Sequence, residues 1–312
     1  MKLAFVFPGQ GSQSVGMMAT FAEVAAVRET FAEASDILGQ DMWQLAAEGP
    51  AEALNSTVNT QPLMLTAGYA VYRAWLAAGG QAPVMVAGHS LGEYTALVAA
   101  GVIAFKDALP LVRFRAQSMQ EAVPVGTGAM AAILGLDDAN VRKACSDASQ
   151  GEVVEAVNFN APSQVVIAGH KGAVERAAAL AKTLGAKRAV LLPVSAPFHS
   201  SLLKPAAERL EHYLATVAMS APQIPVINNV DVQTVTDQTA IKNALARQAC
   251  NAVRWVEVVA AMGVAGVTHV AECGPGKVLA GMTKRIDANL QGLAMADAAS
   301  LEQAMQTLRE AA

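Results

Sequence analysis

Short runs rich in Val, Ile and Phe alternate along this chain with longer Ala-rich stretches, and that alternation restricts the possible folds more than any other feature. The runs at 3–7, 84–87, 129–134, 153–157, 164–168, 188–192, 225–227 and 267–271 have the length and β-branched content of strands. The stretches between them, such as 62–77 and 106–122, carry apolar residues at helical spacing. Strands and helices in alternation build a largely parallel sheet, so the predicted class is α/β. With 312 residues, 53% of them apolar, the chain can bury a large core as one domain or as a domain with an insert.

One segment departs from simple alternation. From Gly126 to Val194 the predicted order is strand AMAAIL, helix 137–148, strand VVEAVNF, strand QVVIAG, helix 171–184, strand RAVLLP. That is the split βαβ, or ferredoxin-like, order. It predicts a small subdomain over 124–194, inserted between 1–123 and 195–312 of a larger body. The Pro and Gly of VPVGTG and PVSAP suit the two crossings from one core to the other, and a cleft between the bodies follows.

Charge narrows the function classes. Only 15% of residues are charged, and 26 acidic against 22 basic side chains leave a net charge of −4, which disfavours nucleic acid or an anionic membrane as partner. The N-terminal MKLAFVFPGQGSQ has too short an apolar run for a signal peptide, and no apolar stretch is long enough to span a bilayer. A soluble cytoplasmic protein is expected. Cys145, Cys250 and Cys273 are odd in number and widely spaced, which points to small apolar residues rather than to a disulfide framework or a zinc site.

Gly88-His89-Ser90-Leu91-Gly92 fits the G-x-S-x-G pattern, with a predicted strand before it and a helix over 91–100 after it. A sharp strand-to-helix turn brings chain close on both sides of the serine, which requires residues without Cβ there. Ser90 would then sit at a helix N-terminus, with the Leu91 N–H aimed at a developing oxyanion. The other reading is that Ser90 only caps the helix. His89 directly precedes Ser90, so their side chains diverge and the base should come from elsewhere. Of the five histidines, His170 and His212 sit in surface-like surroundings and His269 opens a strand. His199, in PVSAPFHSSL, lies where the chain re-enters the larger body, at the cleft. A loop histidine with no catalytic part is its alternative.

Six motifs in order, GQGSQ, GHSLGEY, RFRAQSMQ, NFNAPSQVVIAG, SAPFHS and CGPGKVL, resemble those of the bacterial malonyl-CoA:acyl carrier protein transacylases, within the acyltransferase family of fatty acid and polyketide synthesis. The resemblance covers nearly the whole chain. It implies an α/β-hydrolase-like large subdomain carrying the ferredoxin-like insert, and transfer of malonyl from malonyl-CoA to the phosphopantetheine thiol of acyl carrier protein. By that resemblance Ser90 is the nucleophile, His199 its base, and the backbone of Gln10 and Leu91 the oxyanion hole. His199 would be held by a backbone carbonyl near Gln248, so Asp231 and Asp237 need not complete a triad. A thioester is activated already, so neither metal nor organic cofactor is expected.

Arg115 sits on a helix with Leu111, Phe114 and Met119 nearby, where an arginine can simply lay its stem along the core edge. The resemblance implies instead that its guanidinium pairs with the free carboxylate of malonyl, with Met119 and Asn158 near the acyl pocket and His89 in support. Arg113 faces elsewhere. Ala252, Cys273 and Leu203 depart from the usual family residues (Pro, Val and Met) without removing a catalytic group. Lys171, Arg176, Lys182, Lys187 and Arg188 could meet an acidic carrier protein or be only a solvated face. The family expectation is a monomer. The competing readings are a polyketide-pathway acyltransferase, a serine thioesterase using water as acceptor, and a non-catalytic docking module of the same fold.

Overall fold

The computed structural model describes residues 1–194 and 196–311. Among them nine strands form two sheets: β1 Leu3–Phe7, β2 Met85–Gly88, β3 Gly128–Leu134, β4 Val154–Ala161, β5 Gln164–His170, β6 Arg188–Leu191, β7 Val226–Ile227, β8 His269–Cys273 and β9 Gln291–Met295. Five are parallel, in the order β7-β2-β1-β8-β9, and the other four are antiparallel, in the order β4-β5-β3-β6. The class is the α/β one expected, with a parallel sheet flanked by helices.

The all-apolar sequence of β1 follows from its central place. Leu3, Phe5 and Phe7 point into a core shared with helix Thr57–Ala77, including Val71 and Trp75, while Ala4 and Val6 point into a second core with Trp255, Val258, Val259 and Met262 of helix Trp255–Val264. A strand buried on both faces has no solvated side to make polar, which is why it reads as a continuous apolar run. β9 was not expected from sequence. It is an edge strand, half-exposed along most of its length and containing Gly292, so it lacks the apolar run that marks the others.

In the antiparallel sheet one face, with Ala131, Ile133, Val165 and Ile167, is covered by helices Asp138–Ala148 and Lys171–Thr183. The opposite face contributes Met130, Val157, Val166 and Ala168 to the first core of the parallel sheet. A short parallel bridge ties β4 to the segment that leads into helix Trp255–Val264: the Val253 N–H donates to Val157 O at 2.8 Å, and the Phe159 N–H donates to Val253 O at 3.0 Å. The expected crossing at 194/195 and the expected end of the larger body fall on Ser195 and Ala312, which lie outside the described residues. Between the sheets lies a cavity of 590 Å³, lined by Gln10, Ser90 and Arg115 on one side and by Met130, Asn158 and Leu192 on the other. Among the described residues no helix is long and apolar enough to cross a membrane.

Candidate active site

The strand-to-helix turn at Ser90 is built by close approach. A Cβ at Gly88 would come within 1.8 Å of the Gly92 carbonyl carbon, and one at Gly92 within 2.0 Å of Phe7 O at the end of β1. Neither position can hold a side chain without moving backbone. The turn places Ser90 at φ 53°, a conformation that costs a non-glycine residue about 1–3 kcal/mol and persists only where the surroundings impose it. Two hydrogen bonds do so here: the His89 N–H to Phe7 O at 3.0 Å and the Ser90 N–H to Asn229 Oδ1 at 2.8 Å.

Ser90 makes no side-chain cap to helix Leu91–Ala99, which removes the capping reading. Its Oγ lies 2.7 Å from His199 Nε2. The other ring nitrogen, Nδ1, lies 2.8 Å from the backbone carbonyl of Gln248. A carbonyl only accepts, so Nδ1 carries the proton and Nε2 presents a lone pair to the hydroxyl. His199 also has a positive φ, 66°, and is 4% exposed. Burial first, and then the neighbouring Arg115 charge, push its pKa down to about 3, so the ring is neutral throughout the physiological range.

Arg115, on helix Phe105–Glu121, is 1% exposed. Its guanidinium donates to Gln61 Oε1 at 2.7 Å, to Gln248 Oε1 at 2.9 Å and to Ser90 Oγ at 3.1 Å, and lies over the Tyr94 ring at 5.3 Å. This is not a stem along the core edge with its head in water. It is a buried cation in contact with the serine hydroxyl, and burial lowers its pKa. Arg113 turns away, donating to Leu38 O and Gln40 Oε1.

The remaining expected residues separate into several situations. Gln10 lines the cavity with its Nε2 on Thr57 Oγ1 at 3.3 Å, and Leu91 opens its helix, where the N–H has no intrahelical acceptor. Met119 is buried in the core and also lines the cavity, and Asn158 lines it with a buried Oδ1 that has no partner among the described residues. His89 points away from the hydroxyl: its Nε2 meets Asn160 Oδ1 at 2.8 Å and its ring stands edge-on to Trp255. Asp231 chelates Arg247, and Asp237 caps helix Gln238–Gln248. His170 is half-buried rather than superficial, because its Nδ1 accepts from the Val153 N–H and so helps pair β4 with β5. Of the basic residues on the antiparallel sheet and its helices, Lys171, Lys182, Lys187 and Arg188 are exposed, whereas Arg176 is paired with Glu152.

Four polar residues that sequence reasoning passed over hold this site together: Gln61, Glu93, Asn160 and Asn229. Asn229 accepts from the Ser90 N–H and donates to Gly88 O at 2.8 Å, bracing the turn from both sides. Glu93 is buried and accepts from the Asn229 N–H and from Gln248 Nε2. A carboxylate within GEYTALVAAG, on a helix otherwise buried and apolar, was a readable signal for Glu93, as was glutamine before proline in NTQPLM for Gln61.

The acyl transferase domain family matches residues 4–292. A malonyl CoA-acyl carrier protein transacylase of Escherichia coli strain K12 is 57% identical over 306 residues, 98% of this chain and 99% of that protein. The crystal structure of an acyl-carrier-protein S-malonyltransferase from Burkholderia pseudomallei 1710b superposes with a TM-score of 0.97 at 68% identity, covering 98% of this chain and 100% of that one. A malonyl-transacylase solved in complex with a type II polyketide synthase acyl carrier protein gives a TM-score of 0.97 at 52% identity, with coverage of 98% and 100%.

Proposed function

This chain belongs to the acyl transferase family, and we propose that it moves malonyl from malonyl-CoA to the phosphopantetheine thiol of acyl carrier protein, through a malonyl-serine intermediate, in fatty acid synthesis. As Ser90 Oγ attacks the thioester carbonyl carbon, His199 Nε2 takes its proton. The carbonyl oxygen becomes an oxyanion facing the N–H groups of Leu91 and Gln10. Collapse breaks the carbon–sulfur bond, and the leaving CoA thiolate takes the proton back from the imidazolium. The acceptor thiol then gives its proton to His199, attacks the ester carbon and restores Ser90. The backbone carbonyl of Gln248 holds the imidazolium in place, the part an acidic residue plays in other serine enzymes. Because a thioester is already activated, no metal or organic cofactor enters this reaction.

The single observation that carries the malonyl assignment is the buried guanidinium of Arg115 hydrogen-bonded to Ser90 Oγ. A buried cation with no anion in direct contact is a standing cost unless the substrate brings one. A free carboxylate two carbons from the reacting carbonyl supplies one. It also offsets the positive field that depresses His199, so the base gains strength when the intended substrate is bound. Asn158 Oδ1 and Met119 complete the acyl pocket.

Intact mass measured after mixing with malonyl-CoA tests the reading. One malonyl group should appear on Ser90, persist without acceptor and leave on addition of phosphopantetheinylated carrier protein. Rapid loss to water would return a thioesterase, and no covalent species would leave only a docking module.

The finer architecture belongs to the same reading: an α/β-hydrolase-like body of 1–123 and 195–312, and a ferredoxin-like subdomain of 124–194. The antiparallel order β6-β3-β5-β4, with both helices on one face, supports the second. We read the protein as a cytoplasmic monomer.

A further inference from the structure

Below the nucleophile stands a buried carboxylate that the reaction above does not use. Glu93 lies in the first turn of helix Leu91–Ala99 and is 2% exposed. Its Oε2 accepts from the Asn229 N–H at 2.9 Å and from Gln248 Nε2 at 2.8 Å. Gln248 is itself fully buried and passes the contact on: its Oε1 accepts from Arg115 at 2.9 Å, while its backbone carbonyl meets His199 Nδ1. The amide orientation is dictated by its neighbours, since Glu93 Oε2 and Ser90 O need a donor and the guanidinium needs an acceptor. One primary amide therefore separates a buried anion from a buried cation whose own polar partners are two amide oxygens and a hydroxyl.

We propose that Glu93 is the resting counter-ion of Arg115, relayed through the Gln248 side chain, and that the carboxylate of the bound substrate takes over this role when the site is loaded. The proposal rests on the malonyl reading above. Without a relayed charge the empty site would keep an uncompensated cation, and with a direct one the guanidinium would have no vacancy for substrate. The amide gives an intermediate: charge balance at a distance, while the guanidinium touches only neutral groups and its Nε has no partner among the described residues.

Loading then brings a second carboxylate to the cation that Glu93 already balances through Gln248. Two anions near one cation raise each other's proton affinity, so Glu93 takes up a proton as the substrate seats. Burial already holds Glu93 at about 7, which puts this exchange in the neutral range. The other charged or titratable groups facing it do not compete. Asp231, beyond the end of β7, is chelated by Arg247 of helix Gln238–Gln248, burial pushes the Tyr94 hydroxyl up to about 12, and burial pushes His199 down to about 3. Glu93 is thus a positioning residue for the nucleophile, through Asn229, and a charge partner for the specificity residue, through Gln248.

The test is calorimetric binding to the full-length Ser90→Ala protein, which holds substrate without transferring it, in buffers of different ionisation enthalpy. Malonyl-CoA should take up to about half a proton more than acetyl-CoA, most strongly between about pH 7 and 8, so that its relative affinity falls by up to about threefold per pH unit there. Adding Glu93→Gln should abolish the excess uptake and flatten the malonyl-to-acetyl affinity ratio against pH. Tight malonyl-CoA binding with no excess uptake in Ser90→Ala overturns the proposal whether or not the second variant folds. Excess uptake that survives Glu93→Gln assigns the proton to another group and also overturns it. If malonyl-CoA binds no better than acetyl-CoA, the malonyl reading itself fails and takes the proposal with it.

Discussion

Replacing Arg115 by alanine separates a specificity residue from a structural one. The side chain is buried, donates to Gln61, Gln248 and Ser90, and covers the Tyr94 ring, so its removal leaves a polar hollow that water can enter. For malonyl-CoA the loss is that of one member of a desolvated charge pair, typically about 2 to 5 kcal/mol. At about 1.4 kcal/mol per factor of ten, kcat/KM should fall by roughly 30-fold to several thousand-fold. Acetyl-CoA brings no carboxylate and leaves the wild-type guanidinium without an anion from substrate, so its kcat/KM should hold or rise. The decisive quantity is the malonyl-to-acetyl ratio, from acylation kinetics on a variant whose circular dichroism matches wild type. Arg115→Lys should fall between the two, because an ammonium keeps the charge but not the planar fork that meets a carboxylate with two parallel bonds. An equal loss for both substrates, or none for either, would refute the argument and make Arg115 a structural residue.

Other outcomes follow from the same geometry. Ser90→Ala should show no mass increase with malonyl-CoA, and a label found on Cys250 instead would sink the nucleophile assignment. His199→Ala should bind substrate but acylate roughly 100- to 10000-fold more slowly, in line with the loss of a general base, and a wild-type rate would exclude His199 as the base. With the folded His199 pKa near 3 in the empty site, kcat/KM for acylation by acetyl-CoA, which reports the free enzyme and brings no carboxylate, should show no break near the ordinary histidine value as pH falls from about 8 to 5, whereas an inflection there would mean the ring is not held neutral. The same shift has a stability consequence. Below about pH 6.5 the unfolded chain binds a proton that folded His199 refuses, so stability should drain away as pH falls toward 3, and His199→Asn should lessen that loss in urea titrations. Gly92→Ala must push a methyl against Phe7 O, so it should cost about 1–3 kcal/mol in denaturant unfolding and abolish acylation, and a stable, active variant would show that the turn is looser than its contacts indicate.

Eight of the nine strands among the described residues were legible: seven because burial of one face or both writes Val, Ile and Phe into the chain, and the edge strand β6 because it keeps Val190 and Leu191 although both are exposed. β9 escaped because an edge strand with one half-solvated face need not be apolar. The nucleophile was legible for a related reason: a turn so tight that backbone meets backbone permits only glycine at two positions, and such a constraint shows in the letters. Its partners carry no such local constraint, and the roles of His199 and Gln248 were legible only through the family motifs. His199, Gln248 and Asn229 reach Ser90, and Gln61 reaches Arg115, from segments far apart in the chain, and what makes them a site is the direction of single hydrogen bonds, which carry no periodicity. His199 could be singled out by its place at a crossing between the sheets, but nothing in PVSAPFHSSL indicates that its ring stands between a hydroxyl and a carbonyl. Glu93 illustrates the general physical point. A carboxylate on a buried helical turn is costly unless it is hydrogen-bonded or paired, so its presence in the sequence implies a partner even when it does not say which. Here the partner is an amide, and the charge it answers lies one residue further on, at the arginine that would meet the substrate.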